Sequence, residues 1–379
     1  MPRKPLIAPI RRVVIKIGSA VISDKNGLNN EQMDRLSDNI CQLRQRGYEV
    51  VVVSSGSIAA GKKDLGITGR PPTIQLKQAA AAIGQSRLMR SYRSAFRQRG
   101  ENVAQVLLTR DDLANRRRYL NARNTLMTLL EYGVVPIINE NDTVVVDEIR
   151  FGDNDNLSSL VSTLVDAGLL IILSDVDGLF DKDPRSHTDA RLLHEVERIS
   201  PEIEAMAGVR ETDLGTGGMA TKLKAAKRAT MNGVATAIIN GLTPDNLLHF
   251  FNGEDVGTFF IPATARLASR KHWIAFTKKP RGKLFLDDGA CRAISQSGKS
   301  LLPSGIRGVE GTFDRGDSVC LCDQQGKELA RGVTNYTLTE LLQIMGKNTS
   351  EITTILGYKY GDEVVHRNNL VLSEQSEDD

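Results

Sequence analysis

The sequence predicts an α/β fold, a mainly parallel sheet sandwiched by helices, followed by a small β-barrel. Three observations carry this. Short β-branched apolar runs alternate with helix-length amphipathic segments from residue 13 to about 260, the pattern of strands joined by crossover helices. Those runs are apolar throughout rather than alternating, as in strands covered on both faces. After Lys278-Lys279-Pro280-Arg281-Gly282 the apolar runs become short and alternating, with glycines between them, as in a compact β domain. At 379 residues the chain is too long for one ordinary core, so two domains are expected.

Taken in order, Val13-Val14-Ile15-Lys16-Ile17 is the first strand. A lysine inside such a run must be paired or aimed at a ligand. Gly18 lets the backbone turn closely there. Gln32 to Arg46 has helical spacing and stops at Gly47. Glu49 to Val53 is a second strand, running into Ser54-Ser55-Gly56-Ser57 and then Ile58-Ala59-Ala60-Gly61. A strand, a small-residue turn and a helix start are the ingredients of an anion site. Gln75 to Gln98 and Arg110 to Tyr132 are helical, flanking a strand at Val103 to Leu108. Their arginines are diluted by Asp111, Asp112 and Glu131, so a solvated or subunit-facing surface is expected rather than a nucleic-acid face.

Val134 to Ile138 is a buried strand that releases a polar stretch, Asn139 to Ser159. Asn139, Asn141 and Asp142 crowd its end. A β-rich excursion, Thr143 to Phe151, precedes Gly152-Asp153-Asn154-Asp155-Asn156 and a helix patterned by Leu157, Leu160, Val161 and Leu164. The bland reading makes Asp155 or Asn156 a helix cap. Two acid/amide clusters at the mouth of a sheet point instead to a ligand, because carboxylates repel and each acceptor needs a donor. Leu169 to Leu173 is the next strand, ending in Ser174-Asp175, and Glu195 to Ala207 has helical character. Leu214-Gly215-Thr216-Gly217-Gly218-Met219-Ala220-Thr221-Lys222 then leads into a helix, Leu223 to Met231. Its glycine amides can wrap a phosphate and Lys222 adds charge, although the spacing is not that of a P-loop. Ala235 to Ile239 is a late strand, and Gly257 to Phe260 an edge. The catalytic domain is expected over 10–265, the β domain over 280–360 with helices at Leu338–Met345 and Ser350–Leu356, and a tail over 361–379.

Composition narrows the partners. The net charge of +3 and 25% charged residues give no whole-molecule pull toward nucleic acid or membrane. No apolar run approaches the length of a membrane span. The start, Met1-Pro2-Arg3-Lys4, is basic but broken by Pro5 and Pro9, a loose tail rather than a signal peptide. Four sparse cysteines, Cys41, Cys291, Cys320 and Cys322, lack metal spacing and suit reduced thiols in the cytoplasm.

Lysines on the first strand and on the glycine loop form a cationic half, and the acid/amide clusters a polar half. That division fits phosphoryl transfer, which needs positioning and charge stabilisation above all. All five histidines, His187, His194, His249, His272 and His366, lie outside the clusters. An alcohol acceptor usually needs a base. A carboxylate acceptor does not, being ionised at pH 7 with a reference pKa of about 4.3.

These motifs resemble the amino acid kinase family: Lys16-Ile17-Gly18-Ser19, Ser54-Ser55-Gly56 with Ala59-Ala60-Gly61, Asn139-Glu140-Asn141-Asp142, Gly152 to Asn156, and Gly215 to Lys222. The combination is most similar to the branch that phosphorylates glutamate. Ser300-Leu301-Leu302-Pro303 with Gly305-Ile306, and Gly311, Phe313 and Arg315-Gly316-Asp317, resemble a PUA domain. The resemblance implies ATP plus L-glutamate giving ADP plus L-glutamyl 5-phosphate, with Mg²⁺ on ligands left unknown. It implies that Lys16 and Lys222 hold the transferring phosphoryl group beside the Gly18 and Ser19 amides, and that Asp155 orients the lysines. Ser55, Asp142 and Asn154 bind glutamate, with Asn139 and Asp153 nearby. Ser174-Asp175 and Thr216, Gly217, Gly218, Met219, Ala220, Thr221 and Lys222 line the ATP site. Ser174 stands where relatives commonly have threonine and keeps the hydroxyl, whereas Asp181-Lys182 is more charged than the family pattern. Feedback by L-proline, a homo-oligomer (dimer or tetramer), a functional link to glutamyl phosphate reductase and a cytoplasmic setting are further implications. The alternatives are another kinase of the same fold, acting on acetylglutamate, aspartate, carbamate or UMP, and an RNA-binding protein. For the latter, Lys278, Lys279, Arg281, Lys283, Lys299, Arg307 and Arg315 would supply a basic face.

Overall fold

The computed structural model describes residues 4–24, 27–69, 71–144, 154–207, 218–262 and 280–373. The chain divides into two compact units, Met1–Arg266 and Leu267–Asp379. The first runs α1 (Lys4–Ile7), β1 (Arg12–Ile17), α2 (Ser19–Ile22), β2 (Ser23–Asp24), β3 (Gly27–Leu28), α3 (Asn30–Gln45), β4 (Glu49–Ser54), α4 (Ser57–Gly61), α5 (Ile74–Arg97) and β5 (Val103–Leu108). It continues with α6 (Arg110–Ala114), α7 (Arg116–Glu131), β6 (Val135–Glu140), α8 (Asn154–Leu164), β7 (Leu169–Ser174), β8 (Glu195–Val196), α9 (Pro201–Met206), α10 (Met219–Met231), β9 (Ala235–Asn240), α11 (Asn246–Asn252) and β10 (Thr258–Phe260).

Eight strands form one sheet in the order β5-β6-β4-β1-β7-β9-β10-β8. All neighbours pair in parallel except β10 with β9. Strand alternation divides the core into two layers. Val13, Ile15, Ile17, Val50 and Val52 pack with α3, α5 and α11 through Leu36, Ile40, Tyr92, Phe96 and Phe250. Val14, Val51, Val53, Leu170 and Ile172 pack with α8 and α10 through Leu157, Val161, Leu164, Leu223 and Ala226. Lys16 lies two residues beyond Val14, so its side chain leaves β1 on the α8/α10 side. β1 has β4 on one flank and β7 on the other, and the chain reaches β7 only after building β4, β5 and β6. The carboxyl end of β1 is therefore a topological switch point, where ligands enter open α/β sheets.

Several expectations are revised. Residues 110–132 are two helices, broken at Asn115, whose side chain accepts from Arg118 N and caps α7. Only 201–206 of the 195–207 stretch is helical, with Pro201 opening the helix and Ser200 capping it. β10 is not an edge, since β8 lies outside it. α8 begins at Asn154, so Asp155 and Asn156 are inside the helix and not its cap. β6 extends through Asn139 and Glu140, placing Asn139 on the strand itself. The excursion at 145–151 and the residues Asp153, Thr216 and Gly217 lie outside the described residues. Among the described residues, no helix is long and apolar enough to cross a membrane.

The second unit holds a separate five-stranded sheet, β11 (Gly282–Leu286), β12 (Ile306–Gly311), β13 (Ser318–Cys322), β14 (Glu328–Val333) and β15 (Leu370–Leu372), in the order β12-β11-β13-β14-β15. Helices at Asp288–Ser295, Leu338–Ile344 and Ile352–Leu356 accompany it. Leu284, Val319, Leu321, Tyr336 and Leu341 are among its core residues. β15 pairs with β14, so part of the stretch expected as a tail is a strand of this sheet.

Candidate active site

Lys16, Asp155 and Lys222 come from three separate elements and meet. Lys16 Nζ is 2.6 Å from Asp155 Oδ1, and Lys222 Nζ is 3.6 Å from Asp155 Oδ2. Thr221 Oγ1 donates to the same Oδ2 at 2.8 Å. The three charged residues are at most 5% exposed. Burial pushes the Asp155 carboxyl up, but the Lys16 and Lys222 ammoniums, with hydrogen bonds from Lys16 and Thr221, outweigh it and hold its pKa below the ordinary value. Burial also lowers the pKa of Lys222, an effect strengthened by Lys16 and opposed by Asp155 and Asp175. Two ammoniums share one carboxylate, with Asp175 acting on Lys222 from farther off, so a further anion would relieve their repulsion. α10 starts beside this centre, with Gly218 as its N-cap and Thr221 and Lys222 in its first turns.

Asn154 precedes Asp155 in the first turn of α8, and successive helix residues diverge by about 100°. Asp155 meets the lysines, whereas Asn154 turns to the ends of β4 and β6. Asn154 Nδ2 donates to Ser55 Oγ at 2.9 Å, Asn139 Oδ1 at 3.1 Å and the Ser54 carbonyl at 3.3 Å. Asn139 Oδ1 also accepts from Glu140 N at 2.9 Å, and Asn139 Nδ2 donates to Gln85 Oε1 at 2.8 Å. Ser57 Oγ donates to Asp142 Oδ2 at 3.3 Å. Burial raises the Asp142 pKa, against the Ser57 hydrogen bond and the Lys77 charge. Ser54 Oγ is hydrogen-bonded to the buried Tyr92 hydroxyl at 2.7 Å.

This arrangement corrects one expectation. Among the described residues, the Ser54–Ser57 turn is hydrogen-bonded to the acid/amide cluster rather than to Lys16 or Lys222. α4 has only five residues; its Ser57 is engaged with Asp142, and Ser55 ahead of it with Asn154. Gly18 is also more constrained than expected: its amide donates to the Leu173 carbonyl at 3.1 Å and is thus already used. A Cβ at Gly18 would stand 3.6 Å from Lys16 Nζ, so the missing side chain leaves room beside the ammonium. Ser19 opens α2, and Ser174 Oγ donates to Asp175 Oδ1 at 3.1 Å at the end of β7. Met219 and Ala220 occupy the first turn of α10.

Sequence reasoning missed Ser57, Tyr92 and Gln85. The available signal was Gly84 inside a helical pattern, which marks a close approach. A Cβ there would run into the Ser57 carbonyl and come within 2.6 Å of Gly61 N. Backbone contact between α4 and α5 thus fixes the turn that carries Ser57 and brings Gln85 beside β6. Among the described residues, no group of three or more His, Cys, Asp or Glu side chains could hold a metal ion.

The amino acid kinase family model matches residues 11–240, and the PUA domain model residues 282–356. A protein named glutamate 5-kinase from Syntrophotalea carbinolica is 60% identical over 370 residues, covering 98% of this chain and 99% of that one. Those of Geobacter metallireducens and Geobacter sulfurreducens are 57% and 54% identical over 371 residues, covering 98% of this chain and all of theirs. Among solved structures, a carbamate kinase from Giardia lamblia bound to AMP-PNP matches at 19% identity and a TM-score of 0.48, over 66% of this chain and 98% of that chain, a likeness too loose to bear on the site. The chain belongs to the amino acid kinase family, with glutamate 5-kinases among its relatives and a PUA domain following the kinase unit.

Proposed function

We propose that this protein is a glutamate 5-kinase. It transfers the γ-phosphoryl group of ATP to the side-chain carboxylate of L-glutamate, giving ADP and L-glutamyl 5-phosphate, the first step of proline synthesis. The observation that carries the reading is the first turn of α8: Asp155 gathers two buried ammoniums, and its neighbour Asn154 joins an amide and hydroxyl cluster suited to an amino acid. The names of relatives that span the whole chain support the same substrate.

In the mechanism, Lys16 and Lys222 neutralise charge on the transferring group, and Asp155 with Thr221 holds them in place. Asp155 is not the base, because its carboxylate is already committed to two ammoniums and a hydroxyl. None is required: the γ-carboxylate of glutamate attacks phosphorus as an anion, the bond to the β,γ-bridging oxygen breaks, and ADP leaves without proton transfer. Ser55 and Asn154 hold the acceptor, with Asn139 and Asp153 beside it, and Asp142 takes its ammonium. Gly18 and Ser19, Ser174-Asp175 and the segment Thr216, Gly217, Gly218, Met219, Ala220, Thr221 to Lys222 line the nucleotide side. Mg²⁺ would enter as part of MgATP, an ion that keeps water and phosphate ligands rather than an all-protein cage, and would supply charge neutralisation at the phosphates.

The product is an acyl phosphate that water destroys, which favours prompt reduction by a glutamyl phosphate reductase in the cytoplasm. L-Proline, sharing the ammonium and α-carboxylate of glutamate, is the expected feedback inhibitor, acting on a homo-oligomer. The RNA reading is not favoured. Of the basic residues proposed for it, Arg281 and Arg307 face Asp317 and Asp287, and Arg315 is buried over the Tyr360 ring. The test incubates protein, MgATP, L-glutamate and hydroxylamine. Hydroxamate formed with glutamate but not with aspartate or acetylglutamate, and no ADP release with UMP, supports the assignment; activity on one of those and none on glutamate ends it.

A further inference from the structure

Two backbone groups fix the polarity of the amide relay. Glu140 N–H can only donate, so the Asn139 atom facing it is Oδ1, and Nδ2 must face Gln85. The Gln85 atom receiving that N–H is then Oε1, which leaves Nε2 as a donor. At the other end, the Ser54 carbonyl can only accept, so the Asn154 atom facing it is Nδ2, which leaves Oδ1 as an acceptor. Gln85 Nε2 and Asn154 Oδ1 are both buried and have no hydrogen-bond partner among the described residues. A buried amide donor and a buried amide acceptor are costly to leave unmatched. Together they leave a ligand one unused donor, Gln85 Nε2, suited to a carboxylate, and one unused acceptor, Asn154 Oδ1.

We propose that Gln85 is a specificity-determining residue whose Nε2–H donates to the α-carboxylate of the amino-acid substrate. The inference rests on the reading of glutamate as substrate. The α rather than the γ group follows from direction: the relay runs from Asn154, beside Asp155 and the lysines, through Asn139 to Gln85. The reacting carboxylate occupies the lysine end, so Gln85 meets the opposite end of the substrate. Gln85 also orients Asn139, and the test separates the two roles.

Gln85→Glu keeps an oxygen to accept from Asn139 Nδ2 but removes the donor and adds a negative charge. Gln85→Leu removes both. Steady-state kinetics and calorimetric glutamate binding are measured on the full chain, with thermal melting as the check on folding. The expected result is a rise of about ten- to hundredfold in glutamate KM and Kd for Gln85→Glu, the usual weight of one hydrogen bond to a charged group, with the KM for ATP changed less than twofold. A Gln85→Glu protein whose glutamate Kd stays within fivefold of wild type overturns the proposal, leaving Gln85 as a support for Asn139 alone. Wild-type protein that makes no hydroxamate from glutamate refutes the parent assignment instead, so the two failures are distinguishable.

Discussion

Replacing Asp155 by Asn tests the centre of the site most directly. The substitution preserves shape and removes the carboxylate charge that both Lys16 and Lys222 face. At 2.6 and 3.6 Å, the two attractions amount to roughly 6 and 5 kcal/mol at an effective dielectric of about 20. Desolvation of each buried ion offsets several kcal/mol of this, so the expected net cost to the kinase unit is about 3–5 kcal/mol, the usual penalty for breaking a buried pair. The pH dependence follows from the depressed Asp155 pKa. Its contribution is complete above the ordinary 3.8 and is lost as pH falls through the lower folded value. Wild type and Asp155→Asn should therefore differ most near neutrality and converge in acid. MgATP brings negative charge to the stranded lysines, so nucleotide should raise the melting temperature of the variant more than that of wild type. With the lysines no longer held in place, kcat should fall by about 10²–10³, comparable to losing one preorganised electrostatic group. Hydroxamate kinetics and melting from pH 3 to 8 (about the range in which carboxylates control stability) read all of this. An Asp155→Asn enzyme with kcat within threefold of wild type and an unchanged melting curve would refute the role given to the carboxylate.

Lys222→Ala should lower kcat at least about 100-fold while leaving glutamate KM within about threefold. Burial lowers the Lys222 pKa below 10.5 in the free protein, and phosphate should raise it again. Nucleotide binding at alkaline pH should therefore take up protons, visible as buffer-dependent calorimetric enthalpies in wild type; pH-independent enthalpies with no uptake would count against contact between Lys222 and the phosphates. Asp142→Asn should raise glutamate KM by about ten- to hundredfold. Because burial raises the Asp142 pKa above 3.8, wild type should lose glutamate affinity as pH falls through that raised value, and the variant should show a shallower acid limb, left by the titration of glutamate's own carboxylates. Gly84→Ala should cost about 1–3 kcal/mol through overpacking against α4 and raise glutamate KM as Ser57 shifts; an unchanged melting temperature would argue that α4 yields freely.

The layered fold was legible because β1, β4, β6, β7 and β9 are apolar, β-branched-rich runs between helix-length segments, and position in such a sheet is set by burial; the two-residue β8 carries no such signal. Lys16 stood out for the same reason, as a charge inside an apolar strand. Asp155 was harder to assign. Composition near a helix start cannot distinguish a cap from a buried counter-ion, and what decides here is the arrival of β1 and α10, which are far away in sequence. The Ser54–Ser57 turn was open to two readings by the same limit: small residues after a strand suit phosphate and amino acid alike, and its contacts with Asn154 of α8 and with Asp142 beyond β6 favour the second. Gln85 was invisible because a glutamine on a polar helix face looks solvated until α5 is known to lie against α4.

These three cases share a physical cause. Each residue takes its role from a partner on another element, so its meaning is a property of the switch point and not of its own segment. The first turn of α8 concentrates that dependence. Because Asn154 and Asp155 are adjacent on one helix, the amino-acid cluster cannot shift along the sheet without moving the carboxylate that holds both lysines. On the proposed function, substrate contacts that settle Asn154 would therefore also settle the geometry of Lys16 and Lys222. On this reasoning, Asn154→Ala should reduce kcat as well as glutamate affinity, whereas Asp142→Asn, which lies off that helix, should act mainly on affinity.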